Sequence, residues 1–493
     1  MIYREQTTIL NRLIVHILTV SLLFLTVSLL FSARLVGAQE SSFAELTNTL
    51  KKVAADSPGN SRSGVRVVDV ETGAVIYDRN GSEPFNPASN AKVITAACAL
   101  KRLGPEYRFV TSLHGRSDGA VIRGPVYMKG HADPFLSTAD LWTMARHLAL
   151  SGVRRIEGGI VVDDTFFDDE NLPFAYSDQP NEDAAFRAPV GAVSLNFNAL
   201  GISIQPGHQA MVPARIKLEP EGYAIVDNDT LTTREGAHSP KISAASLDNR
   251  TKLRIWGNVP LGSRPVTYYR RIDNPSLFAG HGLKSVLESV GITVGGGVHT
   301  GRLPSRIPKL AEHQSPPLSV ILYKTGKESN NFVTEMILKT MGGDAEKEPG
   351  TWAAALTSAK AVLTGWGIEQ GSYVYRNGSG LFDANRFSPK TFTDVLVATY
   401  NDSSIRPEFI SQLATGGVDG TIASRYRGPE SQRRVRAKTG TLADVSTLTG
   451  YVFDKEGRRP IAFSILVNNC AGYVSSSRGF QEKIVTAIAK FLD

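Results

Sequence analysis

Residues 64–79, GVRVVDVETGAVIYDR, alternate apolar with polar residues on either side of a Glu-Thr-Gly turn, the pattern of a β-hairpin. Two strands alone make at best a marginal layer in water. The runs that would complete their sheet, VRAKTGT, STLTGYVF and IAFSILVNN, lie between residues 434 and 469. The two ends of the chain are therefore read as one α/β domain, with everything between them inserted. At 493 residues, with 42% hydrophobic and 20% charged side chains, the chain has material for two or three folded domains.

The texture along the chain supports the insertion. NPASNAKVITAACALKRLG reads as a helix with a polar start and a glycine stop at Gly104. From about 110 to 305 short β-rich runs dominate, among them VIRGPVYMKG, LGISIQPG, KLRIWGNV and VTYYRRI, punctuated by glycine and proline. One helical pattern, TADLWTMARHLALSG, interrupts them at 138–152. Helical periodicity returns after SPPLSV, and SSRGFQEKIVTAIAKFLD closes the chain as a helix.

Arg4 and Arg12, the apolar run LIVHILTVSLLFLTVSLLF (13–31), and small residues at Val36 and Ala38 read as a secretory leader over residues 1–38. The run is long for a leader, so an uncleaved anchor stays open. The chain is expected in the periplasm or cell envelope, soluble or loosely attached to the membrane; its oligomeric state stays open. Loss of Arg4, Glu5, Arg12 and Arg34 with the leader takes the formal charge from +7 to +5, mild enough to imply no nucleic-acid partner. Two cysteines, Cys98 and Cys470, lie in apolar runs and are read as buried thiols rather than a bridge. No H-E-x-x-H or C-x-x-C appears, so no metal or cofactor is expected.

Three short motifs carry chemistry. Ser89-Asn90-Ala91-Lys92 is the S-x-x-K found in the chain. Residues i and i+3 at a helix start share a face, so the amine reaches the hydroxyl. A serine hydroxyl needs a base to become a nucleophile, and a lysine whose pKa is lowered by burial or by neighbouring cations can serve. By itself the motif reads more simply as a helix cap and a solvated lysine. Ser329-Asn330-Asn331 places a hydroxyl and a carboxamide two residues apart, suited to relaying a proton and holding a peptide. Lys-Thr-Gly occurs twice, at Lys324 and at Lys438. Lys438-Thr439-Gly440-Thr441 precedes an alternating β-branched run and lies on a strand that can border the nucleophile; its glycine lets substrate approach the backbone. Lys324 ends a helix immediately before Ser329 and cannot form the opposing wall of the same cleft. Lys438 is therefore assigned to the site, and Lys324 to the surface.

In this chain order, with 237 residues between Lys92 and Ser329 and 107 between Asn331 and Lys438, the three motifs form a joint signature. Together with HADPFL, VVDDTFF, RNGSGLFDANRFSP and GGVDGTIASRY, the chain resembles the D-alanyl-D-alanine carboxypeptidase/endopeptidases, the low-molecular-mass class C penicillin-binding proteins. Asn377 stands where that family often has aspartate, and His131-Ala132 where two glycines are usual.

The resemblance implies a transpeptidase/β-lactamase-like α/β domain, an antiparallel sheet flanked by helices plus a helical subdomain, with two inserted, mainly β domains. It places the catalytic domain at 39–112 and 305–493, one β-rich insert at 113–135 and 212–304, and a second insert at 136–211. It implies a serine-type DD-peptidase acting on peptidoglycan stem peptides and acylated by β-lactam antibiotics. Ser89 would be the nucleophile, Lys92 its base, Ser329 a proton relay, Asn331 a peptide holder and Lys438 the cation. Thr439, Gly440 and Thr441 would bind substrate. Asp178, Glu182, Asp183 and Phe186, in SDQPNEDAAFRAP, would recognise a free amine on the stem. A β-lactamase or esterase on the same scaffold is a rival, although Glu369 lacks the E-x-x-x-N context of a class A β-lactamase. A wall-binding protein of weak activity is another.

Overall fold

The computed structural model describes residues 43–493 apart from 56, 179–182, 248–249 and 344–348. The expected leader and Glu182 lie outside the described residues. The hairpin strands Arg62–Asp69 and Val75–Arg79 form one edge of a six-stranded antiparallel sheet. Arg62–Asp69 pairs along its whole length with Pro460–Asn468, from Arg62 opposite Asn468 to Asp69 opposite Ile461. Val445–Phe453, Val435–Leu442 and the short Ala414–Thr415 continue the sheet. The ends of the chain thus build one sheet, as its strand pattern requires.

Side chains alternate between the two faces of that sheet. On strand Pro460–Asn468, Ile461, Phe463, Ile465 and Val467 join a core with helix 43–53 and the closing helix Val474–Phe491. Ala462 and Leu466 face a second core built around the helix Ala91–Leu103. That helix is buried from Ala91 through Leu100, which explains its small, alanine-rich body. It stops at Gly104, whose φ of 87° suits glycine. Cys98 and Cys470 are both buried and unbridged.

The inserted region begins with Val110–Asp118 and Val121–Gly130, which open a seven-stranded sheet. Here the observed pairing departs from the expected division at 135/136 and 211/212. Arg155–Ile156 and Ile160–Asp163 pair in parallel with Val121–Gly130, and with Thr293–Val294 and Val298–Thr300. Ala199–Gln205 pairs with Arg215–Glu219 and Val266–Arg271. Both expected boundaries therefore cut through sheets, because the hydrogen-bond partners come from segments remote in sequence. A single hydrophobic cluster spans both layers, including Leu113, Ile160, Ile202 and Ile255.

The helix Pro275–Ser289 was hidden in the β-rich texture by its glycines. A Cβ on Gly280 would lie 2.5 Å from Val298, and one on Gly282 would lie 2.4 Å from Leu195. Glycine there lets the helix lie close on the sheet.

Candidate active site

Ser89 occupies a short 3₁₀ turn, Ala88–Asn90, that leads into the buried helix. The turn is tied to the sheet from both sides: Asn90 Nδ2 donates to Thr449 Oγ1 at 2.7 Å, and Thr447 Oγ1 donates to the Pro87 carbonyl at 2.8 Å. Ala88 has φ 45°, a left-handed conformation that is held only when the surroundings over-determine it. Two glycines supply that constraint. A Cβ on Gly380 would lie 1.8 Å from the Ala88 carbonyl oxygen, and one on Gly440 would lie 3.0 Å from the Ser89 nitrogen.

Lys92 is completely buried, one helical turn beyond Ser89. Its Nζ donates to Ser89 Oγ at 3.0 Å, to Asn331 Oδ1 at 2.7 Å and to the Ser379 carbonyl at 2.7 Å. Burial drives its pKa well below that of a free lysine, and the nearby charge of Lys438 lowers it further; Glu335 opposes both. A neutral amine has the lone pair needed to take the serine proton.

Asn331 opens the helix Asn331–Thr340, which is capped by Asn330 through Oδ1 accepting from the Val333 amide at 3.0 Å. The cap turns the chain so that Ser329, at φ 60°, and Asn331 both face the cleft. Asn331 Nδ2 donates to the Phe186 carbonyl at 3.1 Å.

Across the cleft, Lys438 is 1% exposed on strand Val435–Leu442. Its Nζ donates to Ser329 Oγ at 2.8 Å and to the Thr439 carbonyl at 2.6 Å. Burial pulls its pKa down to about 7. Thr439 Oγ1 donates to Thr421 Oγ1 at 2.8 Å, while Thr441 is exposed at the strand end. The three motifs thus meet: Ser89 touches Lys92, Lys92 touches Asn331, and Lys438 touches Ser329. Lys324 ends the helix Leu318–Gly326 and pairs with Glu328 at 2.8 Å, outside this network.

The site also contains residues to which the sequence reading gave no role. Glu335 is fully buried one turn beyond Asn331 and accepts the Gly378 and Ser379 amides at 3.0 and 2.7 Å. It thereby orients the Ser379 carbonyl that accepts from Lys92. Tyr176 Oη lies 3.0 Å from Ser379 Oγ. The spacing of Glu335 from Asn331 was the available signal, since i and i+4 share a helix face. Asn377 is buried and uses both ends of its amide, Oδ1 accepting from Gly380 and Nδ2 donating to the Phe174 and Leu381 carbonyls. An ionised aspartate could not make the two donations.

Of the residues singled out for amine recognition, the three that the structure describes, Asp178, Asp183 and Phe186, have different surroundings. Phe186 borders the cleft beside Asn331. Asp178 is exposed at the end of the short turn Tyr176–Asp178. Asp183 is held by Arg270 at 3.3 Å and accepts from the Ala244 amide.

A serine in contact with a buried lysine, opposed by a second buried lysine on a strand across the cleft, in an α/β domain carrying a large β-rich insert, fits a low-molecular-mass class C penicillin-binding protein, a serine DD-peptidase. The chain belongs to the D-Ala-D-Ala carboxypeptidase 3 (S13) family, which it matches over residues 46–491. It is 34% identical over 479 residues to a D-alanyl-D-alanine carboxypeptidase of an Actinomadura species, covering 93% of this chain and 87% of that one. It is 26% identical to the D-alanyl-D-alanine carboxypeptidase DacB of Haemophilus influenzae, over 83% of this chain and 86% of that one. The crystal structure of penicillin-binding protein 4 from H. influenzae has the same fold, with a TM-score of 0.74 at 23% identity over 91% of this chain and 98% of that one. A second structure of that protein is complexed with a β-lactam and superposes with a TM-score of 0.70, at 24% identity over 91% of this chain and 98% of that one.

Proposed function

We propose that Ser89 is the nucleophile through which this enzyme hydrolyses D-alanyl peptides of peptidoglycan, both terminal D-alanine bonds and D-alanyl cross-links. Ser89 Oγ attacks the carbonyl of the penultimate D-alanine while its proton passes to Lys92 Nζ. The backbone N–H groups of Ser89 and Thr441 stabilise the oxyanion. Ser329 then passes a proton to the departing amine, with Lys438 holding the hydroxyl. Thr439 and Thr441 bind the terminal carboxylate, and Gly440 leaves the strand open to it. The C–N bond breaks, and water releases the peptide from the ester and restores Ser89. Asn331 Nδ2 exchanges the Phe186 carbonyl for a carbonyl of the donor peptide. Phe186 and Asp178 are the described residues still available to a stem amine, since Asp183 is already paired.

The observation that carries this reading is the 3.0 Å contact between Ser89 Oγ and a completely buried Lys92 amine that has two further acceptors. The test is the intact mass of residues 39–493 with and without benzylpenicillin. One covalent adduct on wild type, absent from Ser89→Ala, is expected. Lys92→Ala slows acylation by roughly 10²–10⁴-fold, the usual worth of a positioned base. Folded wild type that forms no adduct would overturn the assignment.

Among the described residues no helix is long and apolar enough to cross a membrane. The substrate, together with the leader-like residues 1–38, supports an exported enzyme in the periplasm or envelope, soluble or loosely attached to the membrane.

A further inference from the structure

The catalytic cleft does not end at the three motifs. A cavity of about 850 Å³ runs from Ser329 and Asn331 onto the inserted region, where its wall is the sheet of Ala199–Gln205, Arg215–Glu219 and Val266–Arg271. Strand alternation decides what that wall presents. Leu200, Ile202 and Ile204 point into the hydrophobic core, with Ile216, Leu218 and Tyr268 packed against them. The opposite face lines the cavity, and the register arranges it in two rows. Tyr269, Gly201 and Glu219 form one; Thr267, Ser203 and Lys217 form the next.

Two features of this face, whose Lys217, Glu219, Thr267 and Tyr269 are exposed, bear on what it could hold. Gly201 makes a floor between taller neighbours: even a Cβ there would stand 3.6–3.7 Å from Glu219 and Tyr269. The polar side chains of both rows make no hydrogen bond or ion pair with the described residues. By contrast, Arg270, on the other face of the same strand, is paired with Asp183. A cation, a carboxylate and three hydroxyls thus point, uncommitted, into a cleft whose far end holds the nucleophile's partners.

We infer that this face is a subsite for the part of the stem peptide upstream of the scissile bond, with Lys217 reading a carboxylate on that segment. The inference rests on the proposed DD-peptidase reading and adds a substrate preference to it. Glu219 and the hydroxyls of Tyr269, Ser203 and Thr267 accept peptide N–H groups on either side. Same-face residues on one strand are about 7 Å apart, so Lys217 and Glu219 engage different residues of an extended peptide. The enzyme therefore favours a stem with a free carboxylate over one in which that group is a carboxamide.

The test compares kcat/KM for D-alanine release from L-Ala-γ-D-Glu-L-Lys-D-Ala-D-Ala and from its γ-D-isoglutamine counterpart. Diacetyl-L-Lys-D-Ala-D-Ala and benzylpenicillin acylation serve as references lacking the upstream segment. Wild type should favour the carboxylate form by roughly three- to tenfold, the worth of one partly exposed charge contact. Lys217→Ala should bring the ratio to about one and Lys217→Arg should keep it, with both references unchanged. Gly201→Ile, which fills the floor, should lower both pentapeptides and neither reference. A wild-type ratio of one, or a Lys217→Ala loss equal on pentapeptides and references, overturns the subsite while leaving the catalytic reading in place. Wild type that neither acylates with benzylpenicillin nor releases D-alanine from any of the three peptides overturns both.

Discussion

Replacing Lys438 by methionine, of similar length and without charge, should make the protein more stable at neutral pH and less active. The lysine titrates at 10.5 when exposed and at about 7 in the fold, with burial as the cause. Between those values the unfolded chain holds a proton that the folded chain lacks, so wild-type stability rises with pH by about 1.4 kcal/mol per unit. Below pH 7 both states are protonated, and burying the charge costs on the order of 5 kcal/mol. Lys438→Met removes that cost and also loses the hydrogen bonds to Ser329 and Thr439, each worth about 1 kcal/mol. The net gain is about 3 kcal/mol at pH 6.5, shrinking through zero near pH 9 and reversing above it. Removal of the charge that depresses Lys92 acts in the same sense, because it flattens the variant's own pH slope. Urea midpoints followed by tryptophan fluorescence from pH 6 to 10 give the comparison, and benzylpenicillin acylation reports the loss of function. A difference between the two proteins that stays constant over that range would refute the claim that Lys438 is a lysine held down by burial.

Gly380→Ala should lower stability by about 2 kcal/mol or more and slow acylation, since its methyl lies 1.8 Å from the Ala88 oxygen at a φ of 73°; a thermal melt and acylation rate equal to wild type would dismiss the packing argument. Glu335→Gln removes a charge that raises the pKa of Lys92, so the acid limb of acylation should move to lower pH. An unmoved limb would mean that Glu335 acts through its hydrogen bonds to Gly378 and Ser379 alone.

The catalytic sheet was legible because its strands show as local alternation at 64–79 and again between 435 and 469. The distinction between Lys324 and Lys438 was legible for a related reason. One lies on a helix end in the same segment as Ser329, and the other on a strand that can face it. The division of the insert was not legible. Its seven-stranded sheet is closed by parallel pairs such as Val126 with Ile160 and Val298 with Ile160, and such pairs leave no trace in local texture. Glu335 and Ser379 escaped for another reason. The Glu335 carboxylate acts on the Gly378 and Ser379 N–H groups, and Ser379 meets Lys92 through its backbone carbonyl, partners that residue types do not announce. The ion pair of Asp183 was not legible either, because its partner Arg270 stands 87 positions on and meets it only in the fold.

Two buried lysines in one site disfavour each other's charge, so their protons belong to the pair. The geometry separates their tasks. Lys92 contacts Ser89 and its charge is pushed down by burial and by Lys438, while Lys438 contacts Ser329. In the proposed reaction the terminal carboxylate of the substrate arrives at Thr439 and Thr441, beside Lys438. An opposite charge there raises the affinity of Lys438 for its proton, and a firmly protonated Lys438 in turn keeps Lys92 a free base. The substrate's own carboxylate then prepares the base that activates the attacking serine. With saturating benzylpenicillin, acylation should therefore persist well above pH 7. With its methyl ester, which brings no such charge, acylation should decline from about pH 7, where Lys438 loses its proton. Coincident alkaline limbs for acid and ester would show that the carboxylate is held for affinity alone.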